Sequence, residues 1–111
     1  MSGLSEQHCV PCRGGIPPLE GEAVEALLAR LGGGWKAVQG RRLEKEYGFA
    51  SFKDNISFLN RVAVLAEAEG HHPEMQVGFR TLKLSIWTHK IGGLTESDFV
   101  LAAKADAALA G

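Results

Sequence analysis

Two cysteines in 111 residues, Cys9 and Cys12, are too few for a disulfide framework. Met1 to Gln7 has neither the basic opening nor the apolar stretch of a signal peptide. An excess of charge of one sign is also missing. Twelve Lys and Arg against thirteen Asp and Glu leave a net charge of −1, without the basic surplus of a nucleic-acid footprint. No apolar run approaches the roughly 18 residues of a membrane span. Together these absences give the expectation of a cytoplasmic protein with no nucleic-acid and no membrane partner. What is present is an ordinary globular composition, 45% hydrophobic and 23% charged, in a length suited to one core and too short for two.

Residues 1–18 combine small polar residues with Gly14-Gly15 and Pro17-Pro18. They read as a flexible arm, ordered only if something holds it, leading into a single domain over 19–111. Val24, Leu27, Leu28 and Leu31 fall at helical spacing and predict a first helix over Leu19 to Leu31, stopped by Gly32. Gly32-Gly33-Gly34 lacks the preceding strand and spacing of a dinucleotide loop and reads as a turn. Trp35 to Val38 and Arg42 to Phe49 flank Gln39-Gly40 as a hairpin, with Leu43, Tyr47 and Phe49 on one side. Arg41, Arg42 and Lys45 read as a solvated strand face.

Ser51 followed by Asp54 resembles a helix start. Ile56, Leu59, Ala63 and Ala66 then recur on one face, widened by Phe52, Phe58, Val62 and Leu65. This second helix is expected to end at Gly70, which tolerates a left-handed cap, ahead of a residue that Pro73 pushes out of the helical region. Met75, Val77 and Phe79 alternate, as do Leu82, Leu84 and Ile86, predicting two strands with a turn near Gly78 to Thr81. Thr95 to Asp98 resembles a capping box opening a third helix that buries Phe99, Leu101 or Ala102, Ala105 and Leu109. Strand-strand-helix, repeated after an initial helix, predicts an α+β, two-layer fold: a four-stranded antiparallel sheet with three helices on one face.

The chemistry is concentrated in A-E-A-E-G-H-H-P-E, from Ala66 to Glu74. Three of the four histidines are His71, His72 and His89, and a hairpin centred near residue 80 sets residue 71 or 72 across from His89. Histidine titrates near neutrality, so three at one end of a sheet can give and take protons at ordinary pH. On local pattern alone, His71-His72 could equally be a polar turn after a helix. A zinc site from Glu67, His71, His72 and His89 has suitable ligand types, but adjacent residues in an extended segment point opposite ways. Glu67 by itself reads as a solvated helix-end carboxylate, Asp98 as a helix-start acid that suits the dipole, and Trp87 as core or interface. His8-Cys9-x-x-Cys12 offers three ligands where structural zinc takes four, so an inert tail, a metal contact and a redox or intermolecular pair all stay open.

The residues also resemble a known family, the pterin-4a-carbinolamine dehydratases, over about Leu19 to Ala108. The likeness rests on Phe49 and Phe52, on A-E-A-E-G-H-H-P-E, on T-H-K-I-G-G-L-T from Thr88, and on A-A-K-A-D after Asp98. The family's spacing of an acid, H-H-P, a downstream aromatic, a later histidine and an aspartate is met by Glu67, His71, His72, Pro73, Phe79, His89 and Asp98. Where the family often has tyrosine or tryptophan after H-H-P, this chain has Met75 and Phe79. The resemblance implies loss of water from 4a-hydroxytetrahydrobiopterin to give a quinonoid dihydropterin, in support of an aromatic amino acid hydroxylase. It implies no metal, no cofactor and no covalent intermediate. His71, His72 and His89 would be catalytic, with His71 and His89 moving protons and His72 orienting the substrate. Glu67 and Asp98 would support the histidines, and Pro73, Trp87 and Phe79 would contact the pterin. A homodimer or homotetramer is implied as well. The alternative is a non-catalytic assembly or dimerisation cofactor on the same fold.

Overall fold

A computed structural model describes residues 3–9 and 17–109. Its element order is a short 3-10 turn at Leu4–Glu6, α1 (Gly21–Leu28), β1 (Lys36–Val38), β2 (Arg42–Gly48), α2 (Phe52–Glu69), β3 (Glu74–Val77), β4 (Thr81–Ile86) and α3 (Glu96–Leu109). The strands form one antiparallel sheet in the order β1-β2-β4-β3. This is the two-layer α+β architecture the patterning predicts.

The β1–β2 turn carries positive φ at Gln39 (53°) and Gly40 (66°), the paired left-handed conformation whose twist suits a two-residue hairpin. Register places Leu43 opposite Ile86 and Tyr47 opposite Leu82, while Met75 faces Leu84 across the other side of β4. One face of the sheet is therefore apolar. It meets Phe58 and Val62 of α2 and Phe99, Leu101 and Ala102 of α3, all at or near zero exposure. Each of these side chains larger than alanine contributes about 1.5–3 kcal/mol by leaving water.

α2 is rotated from the face expected of it. The buried line is Asn55, Phe58, Val62 and Ala66, with Ile56 and Leu59 only half-buried and Phe52 49% exposed. The reason is polar. Asn55 Nδ2 donates to the carbonyls of Gly78 (2.9 Å) and Thr81 (2.8 Å), drawing that side of the helix onto the β3–β4 turn, and Phe58 packs between Tyr47 and Phe49 at ring distances of 4.7 and 5.5 Å. The start is as read: Ser51 Oγ accepts the Asp54 N–H at 3.1 Å. At the end, Gly70 adopts φ 63° and its neighbour His71 donates its N–H to Ala66 O, a left-handed cap that turns the chain towards the site.

α1 is shorter than the spacing suggests, because the Leu19 N–H is committed to Leu94 O (2.8 Å) and the last turn tightens into i→i+3 bonds at Arg30 and Leu31. Lys45 also departs from its reading as solvated. It shares the inward side of β2 with Leu43 and Tyr47, and its Nζ reaches Asp106 Oδ1 at 2.8 Å. Trp35 Nε1 (2.9 Å) and the Tyr47 hydroxyl (2.6 Å) donate to the same carboxylate. Burial first, and then Asp106, raise the Tyr47 phenol above its ordinary pKa. This cluster ties β1 and β2 to the end of α3.

Residues 3–9 of the arm have something to hold them. Leu4 is 4% exposed within the core, the 3-10 turn lies along α3, and Lys104 Nζ donates to Ser5 O at 3.0 Å. Cys12 lies outside the described residues.

Candidate active site

Helix and strand ends converge where the histidines lie. α2 stops at Gly70, delivering His71 and His72 ahead of Pro73 and the edge strand β3. Beyond the end of β4 the chain reaches Thr88, whose N–H donates to Gly93 O (2.9 Å) while Gly92, at φ 62°, donates back to Thr88 O (3.0 Å). This tight turn projects His89. Positive φ at Gly92 is a conformation that side-chain-bearing residues rarely adopt, so T-H-K-I-G-G is a turn motif as well as a chemical one. The result is a cavity of about 640 Å³ lined by His71, His72, Pro73, His89, Lys90 and, from the arm, Cys9. That volume lies within the range of small-molecule sites.

His71 is the most constrained of the three. Its side chain is 13% exposed, and Nε2 lies 2.8 Å from Oδ1 of Asp98, which is fully buried. The ring N–H does not point straight at that oxygen, so the contact is an ion pair held by charge and proximity in a dry setting. Burial by itself would lower the imidazole pKa. Asp98, and then Cys9, outweigh it and push the group up to about 10. Asp98 also serves the helix: its other oxygen accepts the Thr95 N–H (2.8 Å) and the Thr88 hydroxyl (2.9 Å). One carboxylate thus caps α3 and faces His71, and Thr88 Oγ1 to Thr95 Oγ1 (3.0 Å) closes the network.

His72 points the other way along the extended segment, as alternation requires, and its Nε2 meets Glu67 Oε1. Both are mostly exposed, at 60% and 78%, so this pair is weak. His89 is exposed and stacks on Trp87 with ring centroids 4.4 Å apart and planes 19° apart. Trp87 supports His89 from behind and lines a neighbouring hollow with Gln39, Arg42 and Gly92. Phe79 is not brought to the cavity. β3 ends at Val77, and Phe79 sits in the β3–β4 turn at the opposite end of the strand, 68% exposed, with Arg80 over its ring. The alternation of Met75, Val77 and Phe79 does not register that the strand stops two residues early, where Gly78 N–H meets Thr81 O.

Two further residues line the cavity: Glu69, which the sequence did not single out, and Cys9, which it marked only for a metal, redox or tail role. Glu69 lines it, accepting the Cys9 backbone N–H (2.7 Å) and facing His8 Nδ1 (3.0 Å). Those two contacts, the Cys9 N–H first, hold its carboxyl below the usual range. Its spacing from Val62 and Ala66 puts it on the buried side of α2, a signal the sequence did contain. Cys9 lines the cavity together with His71, and its thiol donates to Ser97 O at 3.5 Å. Among the described residues no three His, Cys, Asp or Glu side chains are grouped to hold a metal ion.

With this geometry in view, comparisons with known proteins converge. The sequence profile of a family described as pterin 4 alpha carbinolamine dehydratase matches residues 17–108. A protein of Rubrobacter xylanophilus is 48% identical over 106 residues, covering 96% of this chain and 98% of its own, and one of Rickettsia canadensis is 46% identical over 104 residues, covering 94% and 95%. Both carry the name pterin-4-alpha-carbinolamine dehydratase provisionally. A crystal structure of a transcriptional coactivator/pterin dehydratase from Brucella melitensis superposes with TM-score 0.78 at 29% identity, covering 83% of this chain and 98% of that one. A pterin dehydratase-like protein identified as a RuBisCO assembly factor in the alpha-carboxysome superposes with TM-score 0.60 at 26% identity, covering 68% and 89%. The profile spans the histidine turn, the His89 turn and the Asp98 cap alike, and the chain belongs to the pterin 4 alpha carbinolamine dehydratase family.

Proposed function

We propose that the protein dehydrates 4a-hydroxytetrahydrobiopterin to the quinonoid dihydropterin by histidine acid–base catalysis. The observation that carries this reading is the pairing of His71, enclosed 2.8 Å from the buried Asp98 carboxylate, with an exposed His89 across one cavity. Loss of water breaks the bond between C4a and its hydroxyl. A proton must be delivered to that oxygen and another removed from a ring nitrogen, whose electrons form the new C=N bond. His71, held protonated through neutral pH by Asp98, is the donor. His89, reached by solvent and backed by Trp87, is the acceptor, and His72 with Pro73 orients the ring. Proton handling by positioned side chains typically contributes 10²–10⁴-fold.

In this reading the product feeds a reductase that regenerates the cofactor of an aromatic amino acid hydroxylase, and the chain works as a homodimer or homotetramer. The edge position of β3 and the exposed Val77 and Val64 support self-association. The test is the decay of enzymatically generated 4a-carbinolamine, followed by pterin absorbance. Purified protein is expected to accelerate it, and His71→Ala and His89→Ala are each expected to slow turnover about 100-fold or more. No acceleration by the intact protein overturns the reading, and unchanged turnover in both variants overturns the roles. A second reading, a non-catalytic assembly or dimerisation factor, is favoured by one observation, the likeness to the carboxysome assembly factor. It predicts a stable partner for a protein without dehydratase activity.

A further inference from the structure

The arm is tied down at two places that do different things. Its start is fixed to α3: Leu4 is buried in the core, the 3-10 turn lies along the helix, and Lys104 Nζ holds Ser5 O at 3.0 Å. Its tip is fixed at the cavity. Glu69, at the end of α2, accepts the Cys9 N–H at 2.7 Å and faces His8 Nδ1 at 3.0 Å, with Lys104 behind it at 3.9 Å. The Cys9 thiol reaches the other way, donating to Ser97 O in the first turn of α3 at 3.5 Å. Cys9 therefore bridges the end of α2 and the start of α3, and Glu69, Cys9 and Ser97 form one side of the cavity. The Glu69 side chain is 10% exposed, so its carboxylate has little water to turn to and depends on these partners. His8 is 81% exposed and adds little. The bond from the Cys9 N–H to the carboxylate is the strong one.

We infer that residues 4–9 act as a strap closing this side of the cavity and that Glu69 is the positioning residue holding its tip there, so that docking of the strap sets how tightly the cavity retains a ligand. The arrangement differs from a purely structural anchor. Leu4 and Ser5 secure the arm to α3 without reaching the cavity, so its contribution to the core is complete before Glu69 is met. The Glu69 contact falls instead on Cys9, the arm residue that lines the cavity among those described. A strap whose tip is docked for part of the time presents a complete wall for that part alone, and apparent affinity falls by the same fraction. Glu69 acts through the Cys9 backbone. What the strap requires first is therefore an acceptor for that N–H, and the negative charge comes second.

The effect on pterin binding rests on the proposed dehydratase reading, and the docking of the strap does not. In full-length protein, a Cys12→Ser background leaves Cys9 as the sole thiol, and its rate of alkylation by iodoacetamide reports how often the tip is released. Glu69→Ala is expected to raise that rate about ten-fold or more. Glu69→Gln, whose amide oxygen still accepts the Cys9 N–H, should stay within about three-fold of the parent. Affinity for biopterin, read from quenching of its fluorescence, should weaken in the same order, by about ten-fold in Glu69→Ala and about three-fold or less in Glu69→Gln. Lys104→Ala removes the Ser5 anchor and lies outside the cavity. It should raise the alkylation rate and KM about two- to four-fold each with kcat unchanged, and it carries the test where Glu69→Ala fails to fold. An unchanged alkylation rate in the folded variants, or a faster one with biopterin affinity unchanged, overturns the inference. A rise as large in Glu69→Gln as in Glu69→Ala overturns the role given to the N–H bond. Absence of both biopterin binding and dehydratase activity in the intact chain overturns the proposed function instead, and alkylation still decides whether Glu69 holds the strap.

Discussion

Asp98→Asn isolates the charge that faces His71. The replacement has the same shape, and its amide oxygen can still accept the Thr95 N–H and the Thr88 hydroxyl that Asp98 accepts at 2.8 and 2.9 Å, so α3 keeps its cap. What disappears is the fully buried negative charge 2.8 Å from His71 Nε2. With burial then the dominant influence, the ring is expected to titrate below its ordinary 6.5 in place of about 10. Breaking a buried pair from one side costs about 3–5 kcal/mol. The sign with pH follows from a folded-state pKa raised above the unfolded one. The pair's contribution is fully present below pH 6.5 and is lost as pH rises through about 10. Urea unfolding should therefore show the variant about 3–5 kcal/mol less stable at pH 6, with the gap closing as pH approaches 10, and histidine NMR should show the fall in pKa directly. A His71 that still titrates near 10 in folded Asp98→Asn, or a stability gap that is the same at both pH values, refutes the reasoning.

Two further outcomes probe the scaffold apart from the histidines. Asn55→Ala removes the amide that joins α2 to the carbonyls of Gly78 and Thr81 and should lower stability in urea by about 2 kcal/mol; a loss under about 0.5 kcal/mol would show that α2 is oriented by its apolar contacts alone. Asp106→Ala strips Trp35, Lys45 and Tyr47 of their shared acceptor, at an expected cost of about 2–4 kcal/mol. Tyr47 absorbance should then titrate closer to its ordinary value of 10, and no change in that titration would mean that burial, not Asp106, sets the phenol.

Much of the fold is legible in the chain because its signals are local. Ser51 with Asp54, Gly70 before H-H-P, and Thr95 with Asp98 mark helix ends by hydrogen bonds that span three or four residues, and the alternation around Leu43, Leu82 and Leu84 marks strands by a period of two. The orientation of α2 was less legible. Its apolar residues cover two overlapping stripes, and the choice between them is made by Asn55 reaching carbonyls more than twenty residues away. Lys45 shows the same limit: alternation puts it inside, charge argues that it should be outside, and only Asp106 at the far end of α3 lets the inside position stand. Phe79 matched the spacing of an aromatic site residue, yet spacing does not say where a strand stops.

For the cavity, the sequence by itself determined that His71, His72 and His89 would meet, since helix stop, hairpin length and strand direction together bring their segments to one end of the sheet. It also marked Asp98 as both a cap and a supporting acid. Only the tertiary structure decided how the three histidines differ. His71 is enclosed beside a buried carboxylate, His72 faces Glu67 at the surface, and His89 lies open against Trp87, because burial and charge at each ring depend on segments distant in the chain. The same holds for Cys9 and Glu69. An arm more than sixty residues from His71 in sequence becomes part of its cavity through one buried leucine and one carboxylate that accepts a backbone N–H; spacing could place Glu69 on the buried side of α2, but nothing periodic names the arm as its partner.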